Sequence, residues 1–81
     1  MIDWRIDTAK RIKGATLCYQ QYRRRSETWE HEHCVGCWVT FMESKAAPEV
    51  LTEGYVTQDD RWVCPQCFAD LRDEMDWKLA S

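Results

Sequence analysis

The sequence predicts a small α+β domain organised around one metal ion. Three observations carry that reading. Cys34-Val35-Gly36-Cys37 and Cys64-Pro65-Gln66-Cys67 are two Cys-x2-Cys pairs separated by 26 residues. Apolar residues after Pro65 recur at helical spacing, and the segments before it alternate with period two. The chain has 81 residues, enough for one domain, because so short a chain buries only about 60% of the surface its unfolded form exposes. Domains of this size need a disulfide, a metal or a partner to supplement a small core, and five cysteines point to one of the first two.

Met1-Ile2-Asp3-Trp4-Arg5-Ile6-Asp7 has no basic segment leading into an apolar one, and nowhere does the chain approach the roughly 18 apolar residues of a spanning helix. We therefore expect a cytoplasmic protein with no membrane association. In a reducing compartment paired cysteines hold metal more often than they form disulfides.

In chain order, Asp3 to Lys13 reads as a helix with Trp4, Ile6, Ala9 and Ile12 available to pack, stopped by the cations Lys10, Arg11 and Lys13 and by Gly14 as a left-handed cap. Ala15 to Tyr22 alternates as a strand, with Ala15, Leu17 and Tyr19 on one side and Thr16, Cys18, Gln20 and Tyr22 on the other; a helix is the competing reading. Arg23 to Glu27 reads as a charged turn, and Thr28 to His33 as a returning strand with Trp29, His31 and His33 on one face. These elements divide the chain into residues 1–28, a helix and a strand, and residues 29–78, the metal-binding core.

The first Cys pair forms a tight turn that Gly36 suits by tolerating positive φ. Trp38 to Met42 reads as a strand, Glu43 to Glu53 as a loop and the most disposable region, and Gly54 to Thr57 and Arg61 to Val63 as a hairpin turning at Gln58 to Asp60. Pro65 fixes the start of the final helix, on which Phe68, Leu71, Met75 and Leu79 form the apolar stripe and Asp70, Arg72, Asp73 and Glu74 the opposite side.

Two Cys-x2-Cys pairs at this spacing supply the four thiolates of a tetrahedral, structural zinc site, so Cys34, Cys37, Cys64 and Cys67 are the expected ligands of one Zn2+. Two separate disulfides and four buried thiols are the alternatives. A thioredoxin-like dithiol at Cys64 and Cys67 needs a preceding βαβ unit, for which the upstream residues leave no room. The order knuckle, strand, loop, hairpin, then a second Cys pair opening a helix resembles a treble-clef zinc finger over roughly Trp29 to Lys78. A zinc ribbon is the near alternative. The strings His31-Glu32-His33-Cys34-x-x-Cys37 and Trp62-Val63-Cys64-x-x-Cys67-Phe68 are also similar to small uncharacterised bacterial zinc-binding proteins with four-cysteine sites. The resemblance implies zinc and no particular activity.

Between Cys37 and Cys64 there is no His, and the final helix has none, which argues against the nucleases built on this architecture. No Ser/His/Asp set or Gly-rich phosphate loop stands out, so no enzyme is expected. His31 and His33 read as a polar strand face beside the metal, with a second metal site as the sharper alternative. Cys18 reads as a strand residue. Trp38, Trp62 and Phe68 are expected to pack around the metal, and Trp4 and Trp77 to serve as exposed anchors for a partner.

Residues 1–25 hold seven Lys/Arg against two Asp, and residues 26–81 four against twelve Asp/Glu, so a net charge of −3 conceals a basic first segment (+5) and an acidic remainder (−8). The expectation is a non-enzymatic interaction module of a bacterium or phage, an adaptor, regulator or inhibitor of the immunity-protein type, with a basic protein partner. The alternative is a nucleic-acid-binding regulator that uses the basic N-terminal half, including Arg23-Arg24-Arg25 with Tyr19, Tyr22 and Trp29.

Overall fold

A computed structural model describes residues 4–23, 31–45 and 47–80. The charged turn expected after Arg23, and the start of the strand expected from Thr28, lie outside them. α1 (Trp4–Ala9) tightens into a 3-10 turn over Lys10–Ile12, so the expected first helix is α-helical only over its first half. Gly14 takes φ 82°, the left-handed conformation a stop there requires, and its N–H donates to the Met75 carbonyl at 2.8 Å.

β1 (Thr16–Gln21) is the pivot of the sheet. It pairs antiparallel with β4 (Glu53–Val56), which pairs antiparallel with β5 (Trp62–Val63), and on its other side it pairs parallel with β6 (Lys78–Leu79). The order is β5-β4-β1-β6. A second, two-stranded antiparallel sheet joins β2 (His31–His33) to β3 (Thr40–Met42). The hairpin turn between β4 and β5 is closed by Thr57, whose hydroxyl donates to Asp59 and accepts from the Arg61 N–H.

Both faces of the larger sheet are covered. Tyr55 and Gly54, successive residues of β4, point to opposite sides. On the Tyr55 side lies α2 (Pro65–Met75), with the Phe68 ring stacked 3.8 Å from that of Tyr55. On the other side Phe41 of β3 sits where a Gly54 side chain would be: a Cβ there would lie 2.7 Å from the Phe41 ring. This two-sided packing explains why Leu17 and Tyr22, of opposite parity, are both fully buried; Tyr19, in the middle of β1 opposite Tyr55, is exposed. The Tyr22 ring meets Phe41 and Trp62.

Three expectations are corrected. The helix after Pro65 does not run on to Leu79: Asp76 adopts φ 54°, ψ 40°, and its N–H returns to the Arg72 and Asp73 carbonyls, closing α2 after Met75. Leu79 belongs instead to β6 and is exposed. Trp77, expected as an exposed anchor, is 3% exposed, stacks on Phe68 and donates from Nε1 to the Ile12 carbonyl at 3.0 Å. Finally, the segment read as disposable is held at its end, where Val50 is buried and Leu51 exchanges backbone hydrogen bonds with Thr40 and Met42.

Trp77 therefore ties the 3-10 turn to α2, whereas Trp4 is 57% exposed. In denaturant titrations of metal-loaded protein, Trp77→Ala is expected to cost about 3–5 kcal/mol, the range for a large buried aromatic, and Trp4→Ala less than about 0.5 kcal/mol.

Candidate metal centre

The first Cys pair lies in the turn that joins β2 to β3. The Cys34 carbonyl accepts from the Trp38 N–H at 3.0 Å, and the Cys34 N–H donates to Val39 at 2.9 Å. Trp38 completes the turn at φ 69°, and a bulky residue in that region is costly. Its indole is 55% exposed and tilted against His33, with ring centroids 6.1 Å apart, so the expected packing of Trp38 around the metal is not observed. Gly36 is needed for a different reason from the one its sequence suggested. Its φ is not positive; a Cβ would sit 3.0 Å from Cys67 Sγ. The backbone of one pair thus approaches the sulfur of the other so closely that a side chain would press on it.

The second pair opens α2. Cys64 is the N-cap, with extended backbone (φ −70°, ψ 155°), and its sulfur accepts from the Cys67 N–H at 3.3 Å, as a Ser or Asp oxygen does elsewhere. Pro65 follows at the first helical position. A helix N-terminus favours negative charge, which suits thiolates placed there. The two pairs are held in register by the backbone, since Val35 N–H donates to the Trp62 carbonyl at 2.9 Å and Cys34 bridges to Trp62 just before Cys64.

All four sulfurs then lie within 4.8 Å of one another, with Cys37 and Cys64 3.6 Å apart. A metal–sulfur length of about 2.3 Å places tetrahedral thiolates about 3.8 Å apart, so the four residues fit one ion. Cys34, Cys64 and Cys67 are buried and Cys37 is half-buried. Cys34 Sγ accepts from the N–H groups of Gly36 and Cys64, each at 3.3 Å. Four cysteines are therefore positioned to bind one metal ion.

Electrostatics separate the four. The Cys34 thiol is held far below its ordinary range because the Cys64 and Cys67 thiols donate to it, with backbone N–H groups adding to this against the opposing effect of burial. Cys64 is pushed up, to about 12, mainly by its hydrogen bond to Cys34, with burial adding to it. Cys67 is pushed up by hydrogen bonds to Cys34 and Cys64 and then by burial. These three thiols thus share protons, with Cys34 favoured as the thiolate over Cys64 and Cys67. A divalent ion reverses this by replacing the shared protons.

His31 and His33 share a face of β2, their rings perpendicular and 5.1 Å apart. Among the described residues only the four cysteines gather ligand atoms into a cluster. Cys18 stands apart on β1, opposite Val56. Arg23 is exposed, while Arg24, Arg25 and Trp29 lie outside the described residues. Two residues that sequence reasoning did not connect to the site touch it from α1: Arg5 Nη1 lies 3.7 Å from Cys67 Sγ, and Thr8 Oγ1 donates to the Gly36 carbonyl at 2.7 Å. Separations of 62 and 28 residues leave no local signal for such contacts. No helix among the described residues is long and apolar enough to cross a membrane. No family model matches the sequence, and neither a curated protein nor a solved structure matches it significantly.

Two outcomes are expected. Because at least two protons must leave Cys64 and Cys67, metal affinity should rise with pH and fall on acidification, by about a hundredfold or more per pH unit near neutrality, in competition titrations with a chromophoric chelator. Gly36→Ala should crowd Cys67 Sγ and cost about 1–3 kcal/mol of metal-loaded stability, read by denaturant unfolding.

Proposed function

We propose that the chain binds one zinc ion as a structural centre of treble-clef type and works as a non-enzymatic protein-interaction module, an adaptor, regulator or inhibitor, whose partner is basic. The donor set carries this reading. Four thiolates complete a tetrahedral shell, which is the pattern of structural zinc, whereas catalytic zinc keeps one position for water or substrate. Soft thiolates at tetrahedral spacing select zinc or iron among common metals, and zinc is the ion that needs no redox partner. The treble-clef assignment is supported by the order of elements: a Cys turn between β2 and β3, the β4–β5 hairpin, and a helix that starts at the second Cys pair. A zinc ribbon would place that pair on a second hairpin.

With the ion enclosed, binding falls to the surface. Asp73 and Glu74 are exposed on α2, and Trp38 offers an exposed indole beside the Cys turn. Exposed aromatics flanked by charge are the usual anchors of small interfaces. Asp70 and Asp76 are engaged within the chain, by Arg5 and Lys78. The competing nucleic-acid reading draws on Lys10, Arg11 and Lys13, all exposed around the 3-10 turn.

The two readings make opposite demands. Metal analysis of reduced, folded protein should find one zinc per chain, without the visible absorption of an iron–thiolate centre. Tagged protein should retain a partner that Trp38→Ala, or Asp73→Lys with Glu74→Lys, weakens by about 30-fold or more, the effect of losing a hot spot of about 2 kcal/mol, with zinc content unchanged. A mobility shift of DNA or RNA at low salt, abolished by Arg11→Glu and unaffected at Trp38, would replace the protein-partner reading.

A further inference from the structure

α1 reaches both halves of the metal centre. Thr8 Oγ1 holds the Gly36 carbonyl inside the first Cys pair, and the Arg5 guanidinium lies 3.7 Å from Cys67 Sγ in the second. Arg5 is aimed there by Asp70, whose Oδ2 accepts from Nη1 at 3.0 Å. Asp70 is itself braced by Gln66, whose Nε2 lies 3.1 Å from both carboxylate oxygens. The Arg5 side chain is only 19% exposed, so its charge is weakly screened. Cys34 and Cys64 draw N–H donors from the backbone; for Cys67 the donor is this guanidinium.

Four thiolates around a divalent ion carry a net charge of −2, and a charge-assisted N–H···S bond withdraws electron density from the sulfur that accepts it. We propose that Arg5 is the charge-balancing cap of the tetrathiolate centre, and that α1 is a clasp, docked through Thr8, that sets how firmly the metal is held and how nucleophilic Cys67 is. Arg5 is a positioning residue acting through Cys67, in the way that groups outside the ligand shell tune other metal sites by 10–100-fold in affinity. The inference rests on the metal-site reading above.

The test compares wild type with Arg5→Gln, which keeps an N–H donor and loses the charge, Arg5→Lys, which keeps the charge and loses the planar fork, and Thr8→Val, which loosens the docking of α1 alone. Each protein is loaded with Co2+. The thiolate-to-metal charge-transfer band, the affinity in chelator competition and the order of cysteine alkylation by iodoacetamide are then read. Arg5→Gln should shift the band, weaken affinity by about 10–100-fold and make Cys67 the first cysteine of the cluster to be alkylated, with Arg5→Lys intermediate. An unchanged band with affinity within twofold of wild type would overturn the cap. So would a Thr8→Val protein as weakened as Arg5→Gln but with an unshifted band, since packing alone would then account for the lost affinity. If Arg5→Gln fails to fold, Arg5→Lys decides: a shifted band supports the cap and an unshifted one overturns it. A wild-type chain that binds no Co2+ would instead defeat the metal-site reading itself.

Discussion

Four sulfurs within 4.8 Å cannot all be ionised unless a cation lies among them, and the rest of the fold is arranged around that constraint. The Cys34 turn is held against β5 by the backbone, the Cys64 end of α2 offers its positive pole, and α1 brings a guanidinium. Each supplies positive potential to a place where negative charge must be kept. A small core gives this arrangement its weight. Structural zinc contributes on the order of 10 kcal/mol to folding in small domains, comparable with their whole stability, so core and metal site act as one cooperative unit.

The aromatic packing is the second support. Tyr55, Phe68 and Trp77 form a column, with interplanar angles of 10° and 8° between successive rings, and Arg72 lies 5.3 Å from the Phe68 centroid. On the other face Tyr22, Phe41 and Trp62 form a second cluster. The metal-bearing elements run between the two: Trp62 and Phe68 flank Cys64 and Cys67 in sequence and belong to opposite clusters. Displacing the sulfurs would therefore disturb both faces of the sheet.

Features governed by neighbours along the chain were legible in the sequence. The Cys pairs, the β4–β5 hairpin, the stop at Gly14 and the start of α2 at Pro65 depend on spacing, turn chemistry and capping. What could not be read depended on distant segments. The stripe Phe68, Leu71, Met75 continues in period to Leu79, and nothing local says that Asp76 turns left-handed; Trp77 is drawn aside by the Ile12 carbonyl and Lys78 by β1. Gly36 looked like a turn residue, yet its need for a missing side chain comes from Cys67 Sγ, across the site. Trp38 looked like a core residue because it is large and apolar, but a left-handed backbone points it outward.

The place of β1 in the sheet has a kinetic consequence. Cys18 pairs with Val56, 38 residues on, and Thr16 with Lys78, 62 residues on, so the pairing of the central strand is strongly non-local. Non-local pairing raises contact order and slows folding. During synthesis β1 emerges before either of its partners and must wait, with Leu17 and Tyr22 uncovered, until β4 and then β6 have left the ribosome. The Cys34 to Met75 region, whose contacts are nearer in sequence, can condense first and present β4 as the template on which β1 docks, and β6 then closes the sheet.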